Sequence, residues 1–189
     1  MAIRENVVYF ESEGPQNTDE TLRIAREYAD KHGIRDIVVA STTGQTGVKA
    51  AELFGRGFNL IIVTHMAGFR SPGHVELMSQ YRRKIEELGG KVLTTTHALS
   101  GIERAVRKKL GTVLPVELMA HTLRLFGEGM KVCVEIAVMA ADAGLIPVDR
   151  DVVCIAGTGR GADTAVVLRP AHSSNFFDLR VRKVLCKPL

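Results

Sequence analysis

One pattern repeats through the first half of the chain: a short apolar run rich in β-branched residues precedes a segment with apolar residues at helical spacing. Such runs predict buried strands, and spacing of three or four residues predicts amphipathic helices. Because the links are short, we predict right-handed β-α-β crossovers and a parallel sheet. The predicted strands cover residues 7–10, 36–40, 59–65 and 91–97, and the helices between them cover residues 18–32, 48–54 and 75–88.

The pattern changes after residue 97, where two helical regions follow each other without a strand. They cover residues 102–110 and 116–143, and Gly127 and Gly129 predict an interruption of the second. Three more strands, at residues 151–156, 164–168 and 179–185, complete the chain. We therefore predict a single α/β domain over residues 1–189. Its three layers would be α/β/α, around a mostly parallel sheet with an antiparallel C-terminal part.

Composition narrows the class of protein. Hydrophobic residues make up 46% and charged residues 24% of the 189 residues, which is typical of an ordinary globular domain. The net charge of +4 comes from basic residues that alternate with acidic ones, without the basic stripe and stacking aromatics of a nucleic-acid binder. The three cysteines form no CxxC pair, so neither a disulfide framework nor a structural zinc site is expected.

The most apolar stretch, residues 130–146, contains Lys131, Glu135 and Asp142. It is too short and too charged to span a bilayer, so it predicts a buried helix rather than a membrane segment. Packing of this helix against a second copy of the chain is the alternative, which leaves a homo-oligomer open. Met1 is followed closely by charged residues, unlike a signal peptide, and we expect a cytoplasmic protein.

The loop after the second predicted strand contains several hydroxyl groups and directly precedes a helix. Hydroxyls, free backbone N–H groups and the positive end of a helix dipole together favour an anion, above all a phosphate. The alternative is that Thr43 or Thr46 only caps the helix, with Thr46 the better candidate, while Gly44 makes the turn. The candidate phosphate-binding residues are Ser41, Thr42, Thr43, Gly44, Gln45 and Thr46.

A glycine-rich loop follows the fifth predicted strand. Its glycines at alternate positions permit close approach of the backbone to a ligand, and its arginine suits bidentate pairing with a phosphate. The spacing is not that of the dinucleotide fingerprint, and a strand follows instead of a helix. A plain hairpin turn is the alternative. The candidate residues are Gly157, Thr158, Gly159, Arg160, Gly161, Ala162 and Asp163.

Two histidines end neighbouring predicted strands, His65 and His97. We expect His65 to donate a hydrogen bond to a ligand, whereas His97 fits an ordinary loop residue equally well. A metal site is disfavoured because no third ligand has a motif spacing. Glu11 and Glu13 would face the same sheet edge as general-base candidates, although a solvated loop fits them better. His121 and Glu135 lie in helical runs, which favours packing or surface roles over chemistry.

Two segments resemble a known family, the C-terminal domain of pyruvate kinase. DIVVASTTGQTGVKAA, at residues 36–51, is similar to the strand, phosphate loop and helix with which that domain holds an allosteric sugar bisphosphate. DVVCIAGTGRGAD, at residues 151–163, resembles the glycine-rich loop that closes over the same effector. With its N-terminal YFESEGPQNT, the whole chain resembles a stand-alone, mostly archaeal group built on this domain.

The resemblance implies the domain's fold and a phosphorylated small ligand, with flavin mononucleotide (FMN) as a candidate. Its phosphate would lie at the Ser41 to Thr46 loop, and its flat ring near His65, the loop 157–162 and Phe176. Gln45 stands where the kinase loop often has a basic residue, so Arg160 or backbone N–H groups would neutralise the phosphate. No counterpart of the kinase's catalytic barrel is recognisable, and no pyruvate kinase activity is expected. An enzyme acting on a phosphorylated metabolite and a sensor of one remain alternatives.

Overall fold

The computed structural model of the protein describes residue 2 and residues 4–189. Its strands are β1 (Val8–Phe10), β2 (Asp36–Ala40), β3 (Asn59–Thr64), β4 (Lys91–Thr94), β5 (Val152–Ala156), β6 (Thr164–Arg169) and β7 (Arg180–Pro188). Its α-helices are α1 (Thr18–His32), α2 (Gln45–Phe54), α3 (Ser79–Glu87), α4 (Gly101–Leu110), α5 (Pro115–Arg124) and α6 (Glu128–Asp142). Short 3₁₀ turns cover Pro15–Asn17, Gly55–Gly57 and Ser173–Asp178.

The strands form one seven-stranded sheet in the order β1-β7-β6-β5-β2-β3-β4. Strand β2 pairs in parallel with β3 and β5, β3 pairs in parallel with β4, and β1 pairs in parallel with β7. The pairs β5/β6 and β6/β7 are antiparallel. The predicted α/β class, with a mostly parallel sheet and an antiparallel C-terminal part, is therefore confirmed.

Helices cover both faces of the sheet, as the three-layer prediction requires. Successive residues of a strand point to opposite faces. Accordingly, Ile37 and Val39 pack with buried residues of α1, α2 and α3, whereas Val38 packs with α6. The apolar stretch that the sequence analysis predicted to be a buried helix is α6, which lies in the core. Helix α5 packs against α6, and α4 against α5.

Local departures from the prediction have physical causes. The first strand was predicted to be buried, which is wrong: β1 lies at the sheet edge, and Tyr9 is 53% exposed. Asn17 directly precedes α1 but does not cap it, because its side-chain amide donates to the carbonyl of Ser12 at 2.7 Å. Helix α3 begins only at Ser79, and the preceding residues belong to the loop that follows β3.

None of the helices in the described part of the chain is long and apolar enough to cross a membrane.

The sheet has a topological switch point between β2 and β5. From β2 the chain runs through α2 to β3 on one side, whereas β5 arrives from α6 on the opposite face and pairs with the other side of β2. Connections that leave neighbouring parallel strands in opposite directions open a crevice at their carboxyl ends. Both candidate loops of the sequence analysis begin there.

Candidate functional site

A cavity of about 900 Å³ opens at the carboxyl ends of β2, β3 and β5 and extends below α4, α5 and α6. We call it the switch-point cavity. The predicted site residues that line it are Ser41, Thr42, Thr43, Gln45, Thr46, His65, Gly157, Gly159, Arg160 and Gly161. Gly44, Thr158, Ala162 and Asp163 belong to the two loops but do not line the cavity.

The loop between β2 and α2 is shaped by a hydroxyl cap and by one glycine. The hydroxyl of Ser41 accepts the N–H of Gly47 in the first turn of α2 at 3.0 Å, so Ser41, and not Thr46, caps this helix. Gly44 has φ +106°, and a Cβ there would lie 2.5 Å from Cβ of Tyr81. The N–H groups of Gln45 and Thr46 have no intrahelical acceptor at this helix start. They give the cavity wall the positive end of a helix dipole.

The glycine-rich loop joins β5 to β6, whose ends pair directly through Ala156 and Thr164. The loop packs closely against the start of α1. Gly161 has φ +73°, and a Cβ there would lie 2.5 Å from Cα of Pro15 and from the hydroxyl of Thr18. Only glycine fits this position.

Asp163 stabilises the glycine-rich loop through hydrogen bonds to its carboxylate, and none of its side chain is exposed. Its Oδ2 accepts the N–H groups of Gly14 and Thr158, both at 3.1 Å, and its Oδ1 accepts the hydroxyl of Thr164 at 2.8 Å. The carboxylate therefore ties the loop to the segment before α1. Its contacts are with the protein's own backbone and hydroxyl groups.

The guanidinium of Arg160 lies at the exposed tip of this loop and lines the cavity. It forms no ion pair within the described part of the chain. This matters because most other cations of the cavity wall are paired: Lys49 with Asp19, Arg107 with Glu117, and Arg124 with Glu128.

His65 is oriented by a carboxylate that the sequence analysis did not identify. Its Nδ1 lies 2.7 Å from Oε2 of Glu76, and its Nε2 lies 3.4 Å from the hydroxyl of Thr42. Burial raises the pKa of Glu76, but the hydrogen bond from His65 and the charges of His65, Arg70 and Arg160 outweigh it and leave that pKa below its ordinary value. Glu76 lies in the irregular segment between β3 and α3, where no periodicity points to a role.

A second part of the cavity wall, formed by α6 and the residues after β4, contains a chain of polar groups. The sequence analysis favoured a packing or surface role for Glu135 and assigned no role to Lys131. On α6, the ammonium of Lys131 donates to Oε2 of Glu135 at 2.5 Å. Oε1 of Glu135 accepts the N–H of Leu99 at 2.9 Å, and Nδ1 of His97 lies 3.7 Å from Oε2. The N–H of Met66 donates to Nε2 of His97, so the proton of the neutral ring is on Nδ1. Burial lowers the pKa of His97 below its ordinary value.

Rings form a third part of the wall. The ring centroids of His65 and Phe69 are 4.0 Å apart, and those of Phe69 and His97 are 5.2 Å apart with 22° between their planes. The guanidinium carbon of Arg104 lies 4.3 Å from the centroid of Phe69. We call His65, Phe69 and His97 the aromatic wall. Within the described part of the chain, no group of three or more His, Cys, Asp or Glu residues is placed to hold a metal ion.

The remaining candidates divide between the cavity and the surface. Glu11 and Glu13 are exposed and lie outside the cavity, as a solvated loop predicts. Phe176 packs against the small core of Leu99, Ala120 and Val134 and does not line the cavity. His121 does line it, although its helical position favoured packing or a surface role.

The fold and this cavity define an α/β domain with its ligand-sized opening at a topological switch point. The family described as the pyruvate kinase alpha/beta domain matches residues 19–168, and the chain belongs to that family. Among solved structures, pyruvate kinase of Cryptosporidium parvum in complex with ADP is similar over 79% of this chain, with 13% sequence identity and a TM-score of 0.40. The match covers 22% of that kinase chain.

Proposed function

We propose that the protein binds a phosphate-bearing small molecule in the switch-point cavity, and that FMN is the candidate ligand. The observation that carries this proposal is the meeting of two anion-binding elements at one end of the cavity. The N-terminal turn of α2 contributes N–H groups without an intrahelical acceptor, and the loop between β5 and β6 contributes the guanidinium of Arg160, which forms no ion pair within the described part of the chain. Backbone donors at a helix start and a guanidinium are both favoured partners of phosphate.

The hydroxyl groups of this end support the same proposal. If they served only to cap α2, one hydroxyl would suffice, and Ser41 already fills that role. Thr43 and Thr46 also line the cavity, yet neither hydroxyl caps the helix. Each can donate a hydrogen bond to a phosphate oxygen.

The size of the cavity and its aromatic wall favour a ligand larger than phosphate. Small-molecule sites usually have volumes of about 300–1,000 Å³, and the cavity falls in this range. The aromatic wall faces the same space and suits a flat ring system, because rings stack favourably in offset or tilted arrangements. FMN combines a terminal phosphate with such a ring.

An enzymatic role for the same site is a second candidate, favoured by the pairing of His65 with Glu76. A carboxylate that accepts from Nδ1 leaves Nε2 of the ring free to take a proton, as in other histidine-dependent active sites. Nε2 points to Thr42 at the cavity wall. Reduction of bound FMN by a physiological donor, with loss of the rate in His65→Gln, would support this role.

The first experiment is an absorption spectrum of the purified protein, followed by mass spectrometry of what denaturation releases. FMN affinity is then measured for the double variant Thr43→Val/Thr46→Val. Losing two hydrogen bonds to phosphate weakens binding by roughly 2–4 kcal/mol, or about 30- to 700-fold. Thr112→Val, on the exposed link between α4 and α5, is the matched control. Equal affinity of the double variant and the control would refute the phosphate site.

A further inference from the structure

Lys131 and Glu135 form a buried ion pair in the wall of the switch-point cavity. Their side chains are 7% and 4% exposed, and both residues line the cavity. A buried ion pair loses hydration that its own attraction offsets only when the remaining donors and acceptors are also satisfied. The hydrogen bonds of each partner therefore indicate whether the pair is complete.

Both carboxylate oxygens of Glu135 have hydrogen-bond donors, whereas Lys131 uses only one of its own donors within the described part of the chain. The two oxygens of Glu135 accept from the N–H of Leu99 and from Lys131. An ammonium group has three N–H donors, and only the one to Glu135 is used within the described part of the chain. Leaving buried donors without acceptors is unfavourable. Because Lys131 lines the cavity, acceptor atoms of a bound molecule can reach its two remaining donors.

The groups beside this ion pair indicate what carries those acceptors. His97 connects the ion pair to the aromatic wall, since its Nδ1 lies 3.7 Å from Glu135 and its ring lies nearly parallel to that of Phe69. Arg104 lies over Phe69 as a further flat group. Flat surfaces next to an ammonium donor suit a flat ring whose edge carries oxygen acceptors.

We propose that this end of the cavity is a head-group subsite for a heteroaromatic ring with carbonyl oxygens, which accept hydrogen bonds from Lys131. The inference rests on the proposed function, because the phosphate end fixes the other end of the same ligand. The two ends then recognise different chemistry: an anion at the start of α2, and a ring edge at α6. For FMN, the ring edge is the pyrimidine side of the flavin.

The test uses probes that separate the two ends: FMN carries both, riboflavin only the ring, and inorganic phosphate only the anion. Their affinities are measured by calorimetry for the wild type and for Lys131→Met/Glu135→Gln, which removes both charges together. Lys108→Met, on the exposed surface of α4, is the control for loss of a cation. We expect FMN and riboflavin each to bind about tenfold or more weakly to the double variant, and phosphate to bind unchanged.

A second variant, Phe69→Leu, removes a ring of the aromatic wall and keeps both buried charges. It tests the subsite even if the double variant does not fold. It should weaken riboflavin and FMN binding and leave phosphate binding unchanged. If both variants bind riboflavin as the wild type does, the head-group subsite is refuted and the phosphate site stands. If the wild type binds phosphate but no flavin, the head-group subsite and the FMN assignment are refuted together. Failure of the wild type to bind any probe would refute the proposed function as well.

Discussion

Replacing Asp163 by alanine should destabilise the fold by about 1.5–4.5 kcal/mol. The change removes the acceptor of two backbone N–H groups. The N–H of Gly14 is buried, so the loss of its acceptor lowers the free energy of unfolding by about 1–3 kcal/mol. The N–H of Thr158 is half-buried and can bond to water instead, so its contribution is about 0.5–1.5 kcal/mol. Asp163→Asn should be milder: its amide oxygen can keep both N–H bonds while its NH₂ group donates to the hydroxyl of Thr164.

The measurement is urea unfolding followed by far-ultraviolet circular dichroism, because the chain has no tryptophan to serve as a fluorescence probe. Asp149→Ala is the control: this aspartate is exposed, and its loss should change the free energy of unfolding by no more than about 0.5 kcal/mol. If Asp163→Ala is no less stable than the control, the loop is not held by this carboxylate. If Asp163→Asn is as damaging as Asp163→Ala, the hydrogen-bond argument fails and the negative charge itself is what matters.

Two further predictions concern the glycine-rich loop and His97. Both glycines have positive φ, so replacing either by alanine should cost about 1–2 kcal/mol. Gly161→Ala should destabilise the fold more than Gly159→Ala, because only a Cβ at position 161 would lie 2.5 Å from atoms at the start of α1. Equal midpoints in urea would contradict this. Because burial lowers the pKa of His97, the unfolded chain binds more protons than the folded one below the ordinary value of 6.5. Stability should therefore fall as pH decreases from about 6.5 through the folded pKa, and His97→Gln should flatten this dependence; an unchanged slope in the variant would place its origin elsewhere.

The architecture was predictable because its signals are strong and local. Apolar runs such as residues 36–40 and 59–65 are short, β-branched and bounded by turn residues, and both formed buried strands of nearly the predicted length. Patterning was less informative at the sheet edge. Residues 7–10 have the composition of a buried strand, but β1 pairs on one side only, and nothing in its own sequence indicates that position.

The candidate site was predictable only where the chain is continuous. The loops after β2 and β5 were identified because each directly follows a strand. Lys131 had no predicted role, and Glu135 was expected to have a packing or surface role. Their spacing of four residues on a helix is typical of an ordinary ion pair, and only the packing of α6 across the sheet brings them to the cavity. Glu76 was missed because its partner, His65, belongs to another segment of the chain.

The pairing of β2 with β5 has a consequence for how the protein folds. The two strands that carry the candidate loops are direct neighbours, as in the pair Val39 and Ile155, yet the intervening chain contains two further strands and most of the helices. Closing so long a stretch of chain is entropically costly, and contacts between distant segments form slowly. The cavity therefore takes shape only when β5 docks beside β2, and during refolding helical signal should return before the ability to bind a ligand.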